Sequence, residues 1–266
     1  MPAETLYFSS RLKTSLRYRK SAANLFRALE KHEIKCDFIK NTRDIWARDY
    51  MPVCTRKGYV SFKYRPGYLR WFPWMRSNFE KKISAQFPGL NITYSDINLD
   101  GGNVVFSPSK RKAIVSDRIY EENKTYTEEA QRELLNKLTE LLNAQVIIIP
   151  AHEKDMTGHA DGMVRFISEN KVVGNDTGED FEEDIKTALK KHRIDVTGFP
   201  YSDAGVYINY LDTDDYLLLP VFGAEEDIDA VLTAEKIFKK KKEIIPINIK
   251  QIAKQGGALN CISWEL

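Results

Sequence analysis

Apolar residues recur at helical spacing in five stretches of the chain, and each stretch predicts an amphipathic helix. The clearest contains Leu134, Leu138 and Leu142, and Thr125, with Glu128 three residues later, is expected to cap it. The five predicted helices cover about residues 16–31, 75–86, 125–142, 179–192 and 225–238. Residues expected on the buried faces of the other four helices include Leu25, Phe79, Ile83, Ile185, Ile228 and Leu232.

A short apolar run follows each predicted helix and is typical of a buried β-strand. These runs begin at Cys36, Asn91, Gln145, Ile194 and Glu243. A polar loop comes next, and two further strand-like runs separated by turn residues follow the loop. The order helix, strand, polar loop and hairpin therefore recurs five times at a spacing of about fifty residues, which indicates a radial or solenoid array of repeats.

The fifth repeat ends before its hairpin can be completed, because there is room for only one strand after Cys261. The run Thr5–Phe8 precedes the first predicted helix and has no partner in its own repeat. We therefore expect this run to pair with the last repeat, which would close the array into a ring and remove exposed sheet edges. On this interpretation residues 1–266 form a single domain.

The composition is that of a globular protein, with 42% hydrophobic residues, 29% charged residues and a net charge of +2 over 266 residues. This near-neutral balance gives no electrostatic reason to expect a nucleic-acid partner. The one dense basic run, Lys239–Lys242, is expected to be a solvated helix end. No apolar stretch approaches the ~18 residues of a membrane span, so no membrane association is expected.

The cysteines favour a reducing compartment. Cys36, Cys54 and Cys261 are a sparse, odd-numbered set, which predicts free thiols. The N-terminal residues lack the basic and apolar segments of a signal peptide. Together these features predict a cytoplasmic protein.

Polar residues that can do chemistry occupy equivalent places in the repeats. Equivalent loops of a ring of repeats converge near its axis, so these side chains are expected to meet there. A cysteine, an imidazole and an acid are the arrangement for covalent catalysis, in which the thiolate attacks, the imidazole moves the proton and the acid orients the ring. The candidates, in chain order, are Asp49, Asp100, His159, Asp161, Asn209 and Cys261.

Several of these residues also have a structural interpretation. Asp49 could form an ion pair with Arg48 or Arg43. Asp100 precedes a glycine pair and could be an ordinary turn residue. Cys261 could simply be packed in a core, where free cysteine is common.

His159 and Asp161 could also be metal ligands. A closed zinc site needs about four ligands, however, and among the other histidines only His152 lies near in the sequence. We therefore expect neither a metal nor an organic cofactor. The several carboxylates instead favour a cationic ligand, because carboxylates facing one small pocket repel each other unless a cation lies between them. A planar guanidinium, which bonds carboxylates through paired hydrogen bonds, is the natural candidate.

Four motifs together resemble the agmatine deiminase and bacterial peptidylarginine deiminase family. They are the loop Asp44–Pro52, the turn Asp100–Asn103, the segment Gly158–Gly162 and the terminal stretch Gly256–Ser263, in the family's order. That family belongs to the guanidino-group-modifying enzymes, whose fold is a five-bladed α/β propeller called the pentein fold. The resemblance spans most of the chain and implies an α/β, five-bladed propeller with fivefold pseudo-symmetry.

The resemblance also implies roles for individual residues. Cys261 would be the nucleophile, His159 the general acid and base, and Asp100 the acid that orients His159. Asp49 and Asp161 would hold the substrate guanidinium.

Asn209 and Trp46 complete the substrate-binding set that the resemblance implies. Asn209 lies in a Tyr-Ile-Asn-Tyr run similar to one that supplies an active-site asparagine in bacterial peptidylarginine deiminases. Trp46, like Arg48, is expected to support its loop rather than to react. The implied reaction is hydrolysis of a small guanidine, first of all agmatine to N-carbamoylputrescine, and a homodimer is one expected assembly.

The sequence departs from agmatine deiminases at two motif positions. They usually have glutamate where this chain has Asp100, and aspartate there resembles the amidinotransferases. They usually have histidine before the cysteine, where this chain has Asn260. Three alternatives therefore stay open: a deiminase of free or peptide-borne arginine, an amidinotransferase, and a catalytically silent propeller that binds guanidines or a protein.

Overall fold

The computed structural model describes residues 5–152, 155–238 and 241–266. In these residues, fifteen strands form five sheets of three strands each. The strands are β1 (Leu6–Ser9), β2 (Cys36–Ile39), β3 (Val53–Thr55), β4 (Gly58–Lys63), β5 (Ile92–Asn98), β6 (Val105–Phe106), β7 (Lys112–Ser116), β8 (Gln145–Ile149), β9 (Val164–Ser168), β10 (Lys171–Asp176), β11 (Asp195–Pro200), β12 (Leu211–Asp212), β13 (Tyr216–Val221), β14 (Glu243–Asn248) and β15 (Ser263–Glu265).

The α-helices of the described residues range from single turns to four turns. They are α1 (Arg11–Thr14), α2 (Arg19–Lys31), α3 (Ala47–Tyr50), α4 (Arg118–Glu122), α5 (Glu128–Leu142), α6 (Phe181–Lys190), α7 (Asp227–Phe238) and α8 (Lys250–Ala253). None of the helices in this described part of the chain is long and apolar enough to cross a membrane.

The chain comprises two compact units. The first runs from the N-terminal end to Arg48 and includes Asn175–Thr177 and Gly198–Leu266, and the second consists of Asp49–Gly174 and Gly178–Thr197. The first unit contains the sheets β15-β1-β2 and β12-β13-β14. The second contains β3-β4-β5, β6-β7-β8 and most of β11-β10-β9.

The five sheets follow one plan. Each contains an antiparallel pair of strands, and in four of them the third strand is parallel and comes from beyond the next helical segment. In the remaining sheet, β9 and β10 form the antiparallel pair. The predicted hairpins are thus confirmed, and so is the predicted recurrence of helix, strand, loop and hairpin in most repeats.

The N-terminal strand closes the sheet that follows Cys261, as predicted. β1 pairs antiparallel with β15, with Leu6 opposite Glu265 and Phe8 opposite Ser263. It also pairs in parallel with β2, so it is the middle strand of its sheet. The first and last strands of the chain therefore form the antiparallel pair that a hairpin supplies in the other four sheets.

The capping residue of α5 differs from the prediction. The helix begins at Glu128, and the hydroxyl of Thr127 accepts a hydrogen bond from the amide of Ala130. The hydroxyl of Thr125, predicted as the cap, instead donates to the carbonyl of Tyr120. Thr127 takes this role because the capping oxygen must lie two or three residues before the amide that it accepts from.

The second predicted helix, about residues 75–86, is wrong as a continuous α-helix. The segment contains a π-helical turn at Phe79–Ile83 between short 3₁₀ turns at Pro73–Met75 and Ser84–Gln86. The side chain of Asn78 accepts from the amide of Lys81 and starts the π-helical turn there. Phe79 and Ile83 are nevertheless buried, as predicted.

The predicted buried face of α7 is also wrong. Ile228 and Leu232 are 69% and 57% exposed, whereas Ala230, Ala234 and Phe238 are buried. These three residues recur every fourth position and form one stripe. Because two of them are alanines, α7 can pack closely on β13 and β14, and the larger residues lie on the other side.

The basic run after α7 begins with Lys239 and Lys240, which lie outside the described residues. Lys242 is partly buried and forms an ion pair with Asp212 at the end of β12. Lys242 therefore connects the segment after α7 to β12 and is not simply solvated.

Candidate active site

Four predicted site residues of the second unit are buried charged side chains. Asp49 lies in α3, and Asp100 directly precedes the 3₁₀ turn Gly101–Asn103 after β5. His159 precedes a second 3₁₀ turn, which contains Asp161. All four are at most 7% exposed, so any charge they carry must be balanced locally.

Asn103 holds the two 3₁₀ turns together. Its side-chain oxygen accepts hydrogen bonds from the amides of Ser116 (2.9 Å) and Ala160 (3.1 Å). Ala160 follows His159, and Asn103 closes the turn that Asp100 begins. This buried amide therefore fixes the separation between the acid and the imidazole.

Gly102 lies where the charged groups converge. A Cβ at this residue would lie 2.6 Å from Oδ1 of Asp49, 2.9 Å from Nδ1 of His159 and 3.4 Å from Oδ2 of Asp161. The Gly102 amide also donates to Oδ1 of Asp49 at 3.2 Å. Only a residue without a side chain leaves room for this convergence. From the sequence, the glycine pair had indicated only a turn.

Both ring nitrogens of His159 face carboxylates. Nε2 lies 3.2 Å from Oδ2 of Asp100, and Nδ1 lies 3.6 Å from Oδ1 of Asp49. Burial by itself lowers the pKa of His159, but the negative charges of Asp49, Asp100 and Asp161 outweigh it and raise the pKa to about 10. His159 is therefore an imidazolium at neutral pH when no other cation is near.

The same cluster also contains groups that can ligate a metal ion. Asp49, Asp100 and His159 offer ligand atoms that lie within 4.8 Å of one another. A metal here would have to displace the proton that His159 carries, because neutral imidazole is the form that binds metals. The carboxylates of the cluster suit hydrogen-bond donors and a cationic ligand.

In the first unit, Asn209 holds the nucleophile candidate. Its side-chain oxygen lies 3.2 Å from both the amide nitrogen and Sγ of Cys261, and each donates to it. The amide of Asn260 donates to the carbonyl of Asn209 at 3.1 Å. Asn209 thus fixes the backbone and the thiol of Cys261, and its contact with a substrate stays a prediction.

Arg48 clamps the chain on both sides of Cys261. Its guanidinium forms a bidentate ion pair with Glu265, at 2.9 Å and 2.6 Å, and donates to the carbonyl of Asn260 at 3.4 Å. Its own amide donates to the carbonyl of Cys261 at 3.1 Å. Arg48 therefore has the supporting role that was expected, and the part that it holds is the terminal loop around Cys261.

Trp46 contacts the same terminal loop. A Cβ at Gly257 would overlap the Trp46 ring, so the ring lies directly on the Gly257 backbone. This contact accounts for a glycine at position 257 and agrees with a supporting role for Trp46. Its predicted contact with the substrate is a separate matter and stays a prediction.

The predicted residues thus fall into two sets. The second unit brings together Asp49, Asp100, His159 and Asp161. In the first, Asn209 contacts Cys261, and Trp46 contacts Gly257 in the same terminal loop. Sequence reasoning missed Gly102, Asn103 and Glu122, which is partly buried near Asp100. The Gly-Gly-Asn sequence after Asp100 was the one signal for the first two.

Solved structures with similar folds include enzymes named for reactions of guanidines. An agmatine deiminase from C. jejuni is 18% identical, with a TM-score of 0.75 over 99% of this chain and 93% of that chain. The agmatine deiminase of Enterococcus faecalis is 16% identical, with a TM-score of 0.74 over 99% and 93%. DDAH from Pseudomonas aeruginosa is 11% identical, with a TM-score of 0.62 over 99% and 98%. The chain therefore has the α/β fold of the pentein enzymes.

The family follows from the sequence itself. The family model described as Porphyromonas-type peptidyl-arginine deiminase matches residues 12–266, and the chain belongs to that family. The resemblance seen in the four motifs is thereby confirmed, and the protein is a member of the guanidino-group deiminases. A search of curated proteins found no match.

Proposed function

We propose that the protein hydrolyses a guanidine to a ureido product and ammonia through a covalent intermediate on Cys261, with agmatine as the first substrate to test. The observation that carries this proposal is the enclosure of His159 by three buried carboxylates, Asp49, Asp100 and Asp161. Three carboxylates facing one imidazole favour a cationic ligand. A guanidinium is such a cation and matches carboxylates geometrically.

Substrate binding prepares His159 to release its proton. Asp49 and Asp161 hold the guanidinium, which brings a second cation close to the imidazolium. Like charges disfavour the protonated form, so binding lowers the pKa of His159 from its value of about 10 in the empty site. The acid is thereby brought into the range where proton transfer is efficient.

The reaction then needs two steps that share one acid and base. The Cys261 thiolate forms a C–S bond with the guanidinium carbon. One C–N bond breaks, His159 protonates the departing nitrogen, and ammonia leaves a thiouronium on the cysteine. A water attacks the same carbon as His159 takes its proton, the C–S bond breaks, and the ureido product and the thiol are released.

The supporting residues act on the nucleophile. Asn209 holds the amide and thiol of Cys261, while Arg48 holds the flanking backbone. In this proposal Asn209 and Trp46 also contact the substrate. Orientation of this kind raises the rate because attack requires the sulfur to lie in line with the carbon.

Arginine is the second candidate substrate, and a basic surface favours it. Lys63, Arg65 and Arg70 are exposed, and no acidic residue lies between Asp49 and Glu80. This stretch leaves β4 beside the strand that delivers Asp100, because the amide of Leu99 donates to the carbonyl of Lys63. A carboxylate, which free arginine has at the end away from its guanidinium, would be attracted there, whereas the terminal ammonium of agmatine has no carboxylate beside it and would be repelled.

A panel of guanidines tests the reaction. Agmatine, free arginine, dimethylarginine and an arginyl peptide are each incubated with the protein, and the ureido product and the released amine are measured, the amine being ammonia for the unmethylated guanidines and a methylated amine for dimethylarginine. We expect equal amounts of both products from one class of substrate, and no loss of turnover after treatment with a chelator. Formation of guanidinoacetate from arginine and glycine would indicate an amidinotransferase. Binding without turnover of any guanidine would indicate the silent propeller.

The carboxylate roles are tested by calorimetry in a Cys261→Ala background, where a guanidine binds without being consumed. Asp49→Asn and Asp161→Asn should lose most of the binding, because each removes a charge that holds the cation. Asp100→Asn should keep most of the binding. With Cys261 restored, the same change should lower kcat on the order of a hundredfold, because the imidazole loses its orienting acid. Abolished binding in Asp100→Asn with intact binding in Asp49→Asn would contradict these roles.

We also propose that the five sheets are the blades of one α/β propeller and that the chain folds as a single domain. The common plan of the sheets and the pairing of β1 with β15 support this architecture. The homodimer and the cytoplasmic location remain predictions from the sequence.

A further inference from the structure

Between β4 and β5 the chain exposes six consecutive residues, 70–75, and most of them are apolar. Trp71 and Trp74 are 75% and 67% exposed, and Phe72 and Met75 are 48% and 45% exposed. The proposed reaction uses none of these four side chains. Exposed apolar residues that are scattered singly are ordinary, whereas a contiguous group of them marks a binding surface. We call residues 67–76 the aromatic loop.

The aromatic loop is built from hydrogen-bonded turns. It contains 3₁₀ turns at Gly67–Leu69 and Pro73–Met75. The guanidinium of Arg76 donates to the carbonyl of Leu69 at 3.0 Å and so joins the two turns. The amide of Phe72 donates to the same carbonyl at 3.1 Å. These bonds hold the backbone under the exposed rings, so the exposure of the rings is a property of the fold.

The exposed rings lie against each other and against an arginine. Phe72 and Trp74 are in edge-to-face contact, with ring centroids 5.6 Å apart. The guanidinium of Arg70 lies 5.2 Å from the centroid of the Trp71 ring. Stacking of nucleic-acid bases needs free ring faces, and here a cation already lies over one of them. The arrangement therefore favours insertion of the rings into an apolar medium beside anionic groups.

The charge around the aromatic loop is positive. No acidic residue occurs in residues 50–79, whereas the loop and the residues before it carry Lys63, Arg65, Arg70 and Arg76. Among the residues that the structure describes, no carboxylate forms an ion pair with any of these four. Their positive charge is therefore available to an anionic partner.

The size of the exposed group limits the kind of partner. A stable protein interface uses about 20–30 residues on each side, and the aromatic loop offers six consecutive exposed residues. A bilayer surface requires less, because a few tryptophan and phenylalanine side chains can enter the headgroup region while basic side chains lie beside anionic lipids. The observations therefore favour a lipid surface over a folded protein.

We propose that the aromatic loop binds the surface of an anionic phospholipid bilayer, with Trp71, Phe72 and Trp74 at the level of the headgroups and the basic residues beside lipid phosphates. The sequence-based expectation of no membrane association rested on the lack of a spanning segment, and a peripheral contact needs none. The proposal goes beyond the proposed function and does not depend on it.

Vesicle sedimentation tests the lipid preference. The full chain is mixed with vesicles of phosphatidylcholine alone, or of phosphatidylcholine and phosphatidylserine, and the bound fraction is measured. We expect binding only to the vesicles that contain phosphatidylserine. Raising the salt from about 0.05 M to about 0.5 M should weaken this binding on the order of tenfold. No binding to the anionic vesicles, or equal binding to both kinds, overturns the proposal.

A double substitution tests whether the aromatic loop makes the contact. Trp71→Ala with Trp74→Ala should weaken vesicle binding on the order of tenfold or more, because both interfacial rings are lost. Ile228→Ala with Leu232→Ala is the matched control, since it removes a comparably exposed apolar pair from α7, whose first turn is acidic. The control should bind like the wild type. Undiminished binding in the loop variant, or an equal loss in both variants, contradicts the proposal.

Tryptophan fluorescence tests insertion in the unaltered protein, so the proposal does not rest on the folding of a variant. The chain has four tryptophans, of which Trp264 is buried and Trp46 is partly buried. Anionic vesicles should shift the emission to shorter wavelengths as Trp71 and Trp74 leave water, and lipids brominated near the headgroup should quench it. Vesicle binding without this shift overturns the proposal.

A single-stranded oligodeoxythymidine is the competing polyanion. We expect it neither to bind with comparable affinity nor to displace the protein from anionic vesicles. Oligonucleotide binding that the double substitution at Trp71 and Trp74 abolishes, without any vesicle binding, would assign the aromatic loop to nucleic acid and overturn the proposal. If no guanidine is turned over, the proposed function fails, and the vesicle experiments still decide the role of the loop.

Discussion

At the residue scale, Gly102 is required because it has no side chain. Its amide donates to Asp49, and the space that a methyl group would fill is bounded by atoms of Asp49, His159 and Asp161. Gly102 does not have a positive φ, so backbone conformation does not explain the glycine. Steric room for the convergence of charged groups explains it.

We predict that Gly102→Ala loses most guanidine binding and activity. The new methyl group would lie 2.6 Å from a carboxylate oxygen and 2.9 Å from a ring nitrogen, so Asp49 and His159 must both move. A displacement of about 1 Å in a positioned group can cost on the order of a hundredfold in rate. Calorimetry and steady-state kinetics measure the two effects. Gly67→Ala, where an added Cβ has nothing within 4 Å, is the control and should change neither. Wild-type kinetics in Gly102→Ala would contradict the geometry.

The sequence indicated candidate reactive residues but not the contacts that support them. Cysteine, histidine and aspartate suggest chemistry by residue type, and the motif order pointed to Asp49, Asp100, His159 and Cys261, whose reactive roles stay predictions. The partners of Arg48 and the proximity of Glu122 to Asp100 could not be predicted, because each depends on contacts between residues far apart in the chain. Arg48 and Glu265, for example, are separated by 217 positions.

At the scale of elements, Arg48 in α3 and Glu265 in β15 together support the loop that contains Cys261, the candidate nucleophile. Arg48 in α3 reaches Glu265 in β15 through two hydrogen bonds and reaches the Asn260 carbonyl through a third. Bidentate arginine–carboxylate pairs fix geometry as well as adding energy. The loop that contains Cys261 is thereby held at both of its ends.

We predict that Arg48→Lys slows the reaction of Cys261 with a haloacetamidine by about tenfold, because lysine keeps the charge and loses the planar bidentate geometry. Glu265→Gln should have a smaller effect in the same direction. Mass-spectrometric labelling measures the rate at each thiol. Arg17→Lys, which alters an exposed contact with Gln255, is the matched control and should leave the rate unchanged.

The same labelling tests which thiol is the nucleophile. In the wild type, Cys261 should react first. Burial raises the pKa of Cys36, which disfavours its thiolate. Cys54 is the harder comparison, because the Lys110 ammonium lies 3.1 Å from its sulfur. Preferential labelling of Cys36 or Cys54 would contradict the role of Cys261.

Elements were predictable where local patterns were strong. The strands at Cys36–Ile39 and Gln145–Ile149 have the predicted bounds, since short apolar runs beside polar loops admit few alternatives. The buried face of α7 was not predictable from hydrophobicity. Close packing on a sheet favours small side chains, so the alanine stripe is buried and the more apolar Ile228 and Leu232 are exposed.

At the scale of the whole molecule, the two ends of the chain depend on each other. β1 is the middle strand of its sheet, so losing it would remove the partners of both β15 and β2. The incomplete last repeat made this pairing predictable. The division into two compact units was not predictable, because the repeats look alike in sequence whichever unit they join.

The buried titratable groups make stability depend on pH in one direction. The pKa of His159 is raised from 6.5 to about 10, and that of Glu122 from 4.5 to about 8. In both cases the folded state holds its proton more tightly than the unfolded state. The resulting stability is fully present below the unfolded pKa and is lost as the pH rises through the folded pKa. For Glu122 the window is about pH 4.5 to 8, and for His159 it is about pH 6.5 to 10.

We therefore predict that the thermal unfolding midpoint of the ligand-free protein falls steadily between pH 6.5 and pH 10. Glu122→Gln should flatten the profile below about pH 8, because its amide does not titrate. His159→Gln should reduce the fall over the whole range, most clearly above about pH 8, where Glu122 is already ionised and the imidazolium still contributes. His192→Gln removes a histidine outside the acid cluster and should reproduce the wild-type profile. Calorimetric scans over this range measure all four proteins, and a midpoint that rises with pH would show that the acid cluster does not hold His159 as an imidazolium.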